Sequence, residues 1–482
     1  MNTPISEARA LVLLALLTLT VAGGGCVPVL KHPAREANPA LPSSFERNAR
    51  KTGDKADKAD TPASSAATIA GQFFSDPPLR ALIKDALARN QELQLSNLEA
   101  AVSKSEILER EGEFLPKAEL RAGGGLFREG EDTGELEKED DSVEYGIGVL
   151  ASWEIDIWRK LRNARDAAAK RYLASVEGRR FIATGVVAEV AGSYYELLAL
   201  DSKLKLLRRN IKIQTEALAV VRLQKQAGKV SELAVKRFEA EVFKNRSLIA
   251  LIRQEITQVE NRLRFLTGSY GRPIERDAGR FAELRPMRIQ AGAPTELLKN
   301  RPDIKQAELE LAAAKLDVEV ARAGFYPSLE LKAGFALKNA VEFGTSPEDP
   351  VSIAYHLLAE VSQPLWNRRA LKARYQAANS RQMQAVVAYE RTILKAWFEV
   401  LNQLAEVKNL QETYGLRSQE VGRLRDSIVT SMSLFKSARA DYMEVLLTRR
   451  DSLEAQMELI ETKGRQLKAT VKLYRALGGG WK

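Results

Sequence analysis

The sequence predicts a mostly α-helical chain with a small β part, in which one helix–β-hairpin–long helix–helix unit occurs twice. Three observations carry this. The chain matches itself at a shift of about 211 residues. Two long proline-free stretches carry apolar heptads. Four short segments alternate apolar and polar residues.

The first element is a targeting segment. Residues 1–25 hold Arg9, an apolar run from Ala10 to Leu19, and then small residues ending in Gly23-Gly24-Gly25. The run is too short to span a bilayer and has the build of a secretory signal. The single cysteine, Cys26, follows directly. Residues 26–72 are rich in Pro, Ala, Ser, Lys and Asp and read as a tether with no core of its own.

The body then repeats. ARNQEL (88–93) falls on KNRPDI (299–304), and Phe114 and Pro116 fall on Phe325 and Pro327, all at a shift of 211. SELAV (231–235) meets DYMEV (441–445) at 210, and RFLTG (264–268) meets RALGG (475–479) at 211. Units of this length are whole architectures, not solenoid repeats. The first repeat spans 73–272, a linker 273–293, and the second repeat 294–478. Each starts with a helix (about 79–113 and 294–324).

Two strands follow in each copy, at about 118–127 and 143–153, then at about 328–338 and 352–362. In the second, Val143, Tyr145, Ile147, Val149, Ala151 and Trp153 share one face. In the third, Leu329, Leu331, Ala333, Phe335 and Leu337 oppose Glu330, Lys332, Gly334 and Lys338. In the fourth, Ile353, Tyr355, Leu357, Ala359 and Val361 oppose Ala354, His356 and Glu360. Period-two segments of about ten residues fit strands with an apolar face to lipid and a polar face to a lumen. Glu330, Lys332, His356 and Glu360 are the candidate lumen-facing positions. Trp153, Trp158, Tyr326 and Trp366 gather at the strand–helix junctions, as in an interfacial aromatic girdle. Four strands cannot close a barrel, and an open edge in lipid is forbidden, so the chain must associate with itself. The 128–142 loop holds eight acids and two bases and reads as a solvated loop or a cation-attracting mouth.

Each long helix comes next (about 158–227 and 367–437), and then a return helix (about 231–267 and 442–476). Leu197, Leu204, Ile211 and Leu218 recur every seven residues. So do Val400, Val407, Tyr414, Val421, Ile428 and Phe435. Such heptads specify a left-handed coiled-coil seam. A helix of about 70 residues is a rod of roughly 100 Å.

Composition excludes other classes. The chain has 482 residues, 45% apolar and 28% charged, with one cysteine and two histidines. That rules out a disulfide framework and leaves no Cys/His metal site. The net charge of +10 is diluted among 63 acids, so it does not indicate nucleic acid as a partner. GxSxG, HExxH and GxxxxGK[ST] are absent, and the glycines at 123–125 lack the third position of a dinucleotide loop. No catalytic residue, cofactor or metal is expected, and the chain does not read as an enzyme. A lipid-anchored coiled-coil scaffold without a pore is the reading from another class, and the alternating strands argue against it.

Several blocks now carry a resemblance: FFSDPPLRALIKDALARNQEL (73–93), ASWEIDIWRKLRNARDAAAKRYLAS (151–175), RPDIKQAELELAAAKLDVEVARAGFYPSLELKAG (301–334) and AVVAYERTILKAWFEVLNQLAEV (385–407). The chain resembles outer-membrane efflux proteins of the TolC and OprM type, in their lipoprotein branch. The resemblance implies a homotrimer with a 12-stranded outer-membrane β-barrel continued by a long α-helical periplasmic tunnel. It implies a periplasmic adaptor and an inner-membrane transporter as partners. The function implied is the passive exit duct of a tripartite pump for small toxic compounds, with metal-ion efflux or type I protein secretion as alternatives. Cys26 resembles the lipidated cysteine of a bacterial lipoprotein, with Gly23 where leucine is usual. Val27 after it favours the outer membrane. The resemblance also assigns adaptor docking to the helix–turn–helix tips, here Gly228, Ser231, Leu233, Ala438 and Asp441. The family often has an arginine four residues before each tip glycine; this chain has Gln224 and Leu434. The family's entrance aspartate aligns with Leu447, and Glu444, one turn earlier, is the candidate constriction residue. Three copies on an axis would repel one another and have raised pKa values.

Overall fold

The computed structural model describes residues 27–30, 35–39, 41–42, 45, 73–129, 140–277, 279–342, 352–364, 366, 368–437, 439 and 442–481. Cys26, Ala438 and Asp441 lie outside them. The first repeat contains α1 (Pro77–Arg89), α2 (Gln91–Gly112), β1 (Lys117–Glu129), β2 (Asp140–Ile155), α3 (Lys160–Gln226) and α4 (Glu232–Leu266). The second contains α5 (Glu296–Asn300), α6 (Pro302–Ala323), β3 (Ser328–Glu342), β4 (Ser352–Ser362), α7 (Arg369–Lys436) and α8 (Tyr442–Ala476). The chain is mostly α with a small β part, as the periodicities predict. None of the described helices is long and apolar enough to cross a membrane.

The chain divides into two compact units. One draws on 99–175 and 307–389 with residues up to 37; the other draws on 38–98, 176–306 and 390–482. The first unit holds a four-stranded antiparallel meander in the order β1-β2-β3-β4. Asp156 ends β2 and starts α3: its carboxylate accepts the backbone N–H of Leu161 at 3.1 Å and of Arg162 at 3.0 Å. Satisfying these first-turn donors fixes where the long helix begins. The turn between them places Arg159 at φ 59, a left-handed conformation that suits glycine. Below the sheet, Val318, Phe325, Tyr375 and Ala378 form a small core.

The expected single helices at 79–113 and 294–324 are each broken. Asn90 interrupts the first: its side chain accepts the Leu93 N–H at 3.1 Å and donates to the Leu266 carbonyl at 3.0 Å. Arg301, 4% exposed, interrupts the second and donates to the Ala476 carbonyl at 2.6 Å. Pro302 then opens α6, where its missing N–H is harmless. In each repeat the break is clasped by the end of the return helix. Gly268 (φ +57) and Gly478 (φ +93) sit so close that a Cβ would lie 2.7 Å from the Arg89 carbonyl oxygen and 2.6 Å from that of Asn300. Only glycine meets both demands.

The second unit is cored by the helical heptads. Leu197, Leu204 and Leu207 are buried with Val259, Leu263, Leu467 and Tyr474. Tyr194 is fully buried and donates to Asp76 at 2.7 Å. Its burial pushes the phenol far above its ordinary pKa. Phe73 stacks on Tyr474 at 3.9 Å, so the entry of the first repeat packs on the end of the second.

The tether expectation needs correction. Val27 and Leu30 pack against the core beneath the sheet. Lys315 pairs with Glu36 at 2.9 Å, Gln382 donates to the Arg35 carbonyl at 3.2 Å, and the Asn38 N–H donates to Glu390 at 3.0 Å. Phe45 stacks on Trp397 at 4.9 Å. Polar composition hid these few anchors.

Candidate functional site

The strand register aligns the two faces. Leu120, Val149 and Phe335 follow one another across β1, β2 and β3, and Phe335 opposes Tyr355 on β4. Ala122, Ile147, Leu337 and Ile353 make a second row. These side chains have no cover: Leu120 is 70% exposed, Ile353 64% and Tyr355 84%. A contiguous apolar face of this size is not left in water. The junction indoles are tied down at their polar ends. Trp153 donates to the Phe114 carbonyl at 2.8 Å and Trp158 to that of Pro327 at 2.7 Å. Trp158 also stacks on Tyr326 at 4.8 Å. Their apolar bodies stay exposed, the arrangement of an interfacial aromatic.

The opposite face is polar at one end. Glu154, Glu330 and Glu360 form one cross-strand row. The Lys332 ammonium lies 2.6 Å from Glu360 and 3.5 Å from Glu330. Lys160 holds Glu154 at 2.9 Å. Sequence reading missed Glu154 because it ended the strand at 153, whereas pairing continues to Ile155. The signal was parity: Glu154 follows Ser152 on the polar side. His356 lies on the same face and folds over Gly334, where any Cβ would strike its ring. Leu150 pairs with Gly334 on this face, and Leu358 with Lys332, so the face is not wholly polar.

The helical tips lie in the second unit. At the first, the N–H of Gly228 bonds to the Lys225 carbonyl and that of Lys229 to Gln224, both at 2.9 Å, with Gly228 at φ +70. This is a glycine-closed helix end. Ser231 precedes α4 and makes no side-chain cap bond. Leu233 is 59% exposed. Lys225 pairs with Glu232, which holds that carboxyl below its ordinary range. At the second tip, the Arg439 N–H reaches the Leu434 carbonyl at 2.9 Å. The two tips share a core of Leu218, Val221, Val235, Phe238, Tyr442 and Leu446. Phe238 and Tyr442 have ring centroids 4.5 Å apart. The buried Tyr442 hydroxyl has no partner among the described residues, and burial raises its pKa. Glu444 follows in the first turn of α8, exposed, with Leu447 exposed one turn on. The structure therefore brings Gly228, Ser231, Leu233 and Glu444 near one tip core, while the strand residues form a separate constellation. The described residues include no group of three His, Cys, Asp or Glu able to hold a metal.

A model of the outer membrane efflux protein family matches residues 82–269 and again 293–479. The chain belongs to this family. Two copies of one domain account for the internal match and for the two clasped breaks. Among relatives, the pyoverdine export outer membrane protein OpmQ of Pseudomonas putida is 30% identical over 85% of this chain and 87% of its own length. The cation efflux system protein CusC of Escherichia coli is 28% identical over 85% of this chain and 87% of its own. The solvent efflux pump outer membrane protein SrpC of Pseudomonas putida is 28% identical over 98% of both chains. A crystal structure of CusC superposes with a TM-score of 0.79, 26% identity, covering 94% of this chain and all of that one. Proteins of this family are channels. This efflux protein resides in the outer membrane.

Proposed function

We propose that the chain is the trimeric exit duct of a tripartite pump for small toxic organic compounds. The observation that carries this is the meander with an uncovered apolar face and two free edges. Three copies would pool twelve strands, enough for a barrel with a wet lumen. Glu330, Lys332, His356 and Glu360, with Glu154, line that lumen. The helices continue it into the periplasm as a tunnel.

The tips around Gly228, Ser231, Leu233, Ala438 and Asp441 dock a periplasmic adaptor, and the exposed Leu233 suits such a contact. Glu444 narrows the entrance: three carboxylates on one axis repel one another and attract cations. Cys26 carries lipid and anchors the chain without spanning. Transport energy comes from the inner-membrane transporter. The duct itself is a two-state element biased by its partners. The solvent pump relative, similar over nearly its whole length, supports organic cargo.

The test is growth of a deletion strain across dyes, antibiotics, solvents and transition-metal ions. Sensitivity to several unrelated organic compounds, restored by the intact gene, is expected. Sensitivity confined to one metal would refute the cargo assignment.

A further inference from the structure

The second unit holds a cavity of about 670 Å³, lined chiefly by α3, α7 and α8. That lies within the roughly 300–1,000 Å³ of sites for drug-sized molecules. Two glycines make the room. Gly185 and Gly192 stand seven residues apart on α3, and Lys468 and Arg475 stand seven apart on α8. A Cβ at Gly185 would lie 3.9 Å from the Arg475 guanidinium, and one at Gly192 would lie 3.9 Å from the Lys468 side chain. Bare backbone therefore fronts both bases.

The two bases differ in what they meet. The Lys468 ammonium lies 2.6 Å from Glu196. The Arg475 guanidinium has no carboxylate partner among the described residues. It lies instead over the Phe181 ring, 5.6 Å from the centroid. Stacking occupies one face of a guanidinium and leaves its in-plane N–H donors unused. Lys472, one turn earlier, reaches Glu406 only at 3.6 Å.

An acceptor enters the same cavity from α7. The Gln403 Oε1 is buried and has no donor among the described residues. A buried carbonyl left without a donor is costly, and such groups are rare. Phe181, Ile182 and Val186 add an apolar wall. Glu189 and Lys472 on the rim are exposed, so the cavity opens to solvent. The other flank of α3 is covered, with Val187, Val190 and Tyr194 in one core with Ile274 and Phe281 of the segment that joins the repeats.

We infer that this cavity is a binding station for organic carboxylates that also carry an N–H group. The carboxylate accepts the paired in-plane N–H donors of Arg475, the strong geometry for this ion pair. The ligand N–H donates to the Gln403 Oε1, and its apolar body lies along Phe181 and Ile182. Because the joining segment covers the other flank, the station takes the passage side of the wall. A station on a passage must also release what it binds. The inference rests on the exit-duct reading above and names a cargo class for it.

Equilibrium dialysis of the full chain in detergent tests it with dansylglycine, an aromatic carboxylate with a sulfonamide N–H. Saturable binding at one site per chain is expected. The methyl ester of dansylglycine should bind more weakly by about ten-fold or more. Arg475→Met should weaken dansylglycine by a similar factor and leave the ester unchanged, a selectivity that misfolding would not produce. Gln403→Leu should weaken both several-fold. Arg465→Met, which removes an exposed base from the same helix, should change neither. Absence of saturable binding, equal binding of acid and ester, or undiminished binding by Arg475→Met overturns the station. Conductance in a planar bilayer separates the two readings. A protein that conducts without binding dansylglycine keeps the duct and loses the station. One that binds but does not conduct loses the duct, and with it the cargo role.

Discussion

Phe335 and Ala336 are adjacent on β3, near its middle, and point to opposite faces. Phe335 pairs with Val149 and Tyr355, all apolar and uncovered. Ala336 pairs with Gly148 and Ala354 on the other face, where its cross-strand neighbours are small. Replace each in turn with arginine. On the lipid face, arginine near the bilayer midplane costs about 2–4 kcal/mol. Three copies make that about 6–12 kcal/mol per trimer, comparable to the whole stability of a typical domain. On the lumen face the same charge stays in water and costs about 0–1 kcal/mol, the range for a solvated position. The assay is the amount of trimer in the outer-membrane fraction, followed by its urea unfolding in vesicles. Phe335→Arg should nearly abolish the trimer, and Ala336→Arg should preserve it with altered ion selectivity. Equal tolerance of both, or the reverse order, would refute the assignment of faces and the barrel built on it.

Three further outcomes follow from the helical body. Gly478→Ala should destabilise by about 2–4 kcal/mol, since it adds left-handed strain and a collision with Asn300. Gly271→Ala, at φ +75 in open space, should cost only about 1 kcal/mol; equal losses by urea unfolding would show that the clasp contributes nothing. Arg159→Gly should stabilise by about 0.5–1 kcal/mol by relieving the φ of 59, and an unchanged unfolding midpoint would contradict that strain. Lys203, and less so Arg465, hold the Glu461 carboxyl below its ordinary pKa. Its contribution is therefore present above the unfolded value of about 4.3 and is lost as pH falls. Lys203→Met should flatten the acid limb of a melting-temperature profile, and an unchanged slope between about pH 5 and pH 2 would dismiss the pair.

Sequence made the duplication legible because its matching blocks are the parts that touch. ARNQ and KNRP sit against RFLTG and RALGG, so both halves of each clasp repeat at the same shift. The strand faces were legible because alternation is imposed by the pleat. The helix breaks were not, because Asn90 and Arg301 act through carbonyls more than 170 residues away. Nor were the anchors among the described residues of 27–45, where scattered contacts hold a segment of polar composition. At the tips, Gly228 was legible from its type, whereas the shared core and the orphaned Tyr442 hydroxyl depend on how two hairpins pack. Glu154 was lost to a two-residue error in a strand end.

A chain that forms a pore conducts ions across a bilayer. The most direct measurement is the conductance of the purified protein in a planar bilayer, recorded for the wild type and for Glu444→Ala. Discrete steps are expected, with divalent cations blocking the wild type more strongly than the variant. Stable insertion without steps in either protein, at any voltage, would contradict the claim.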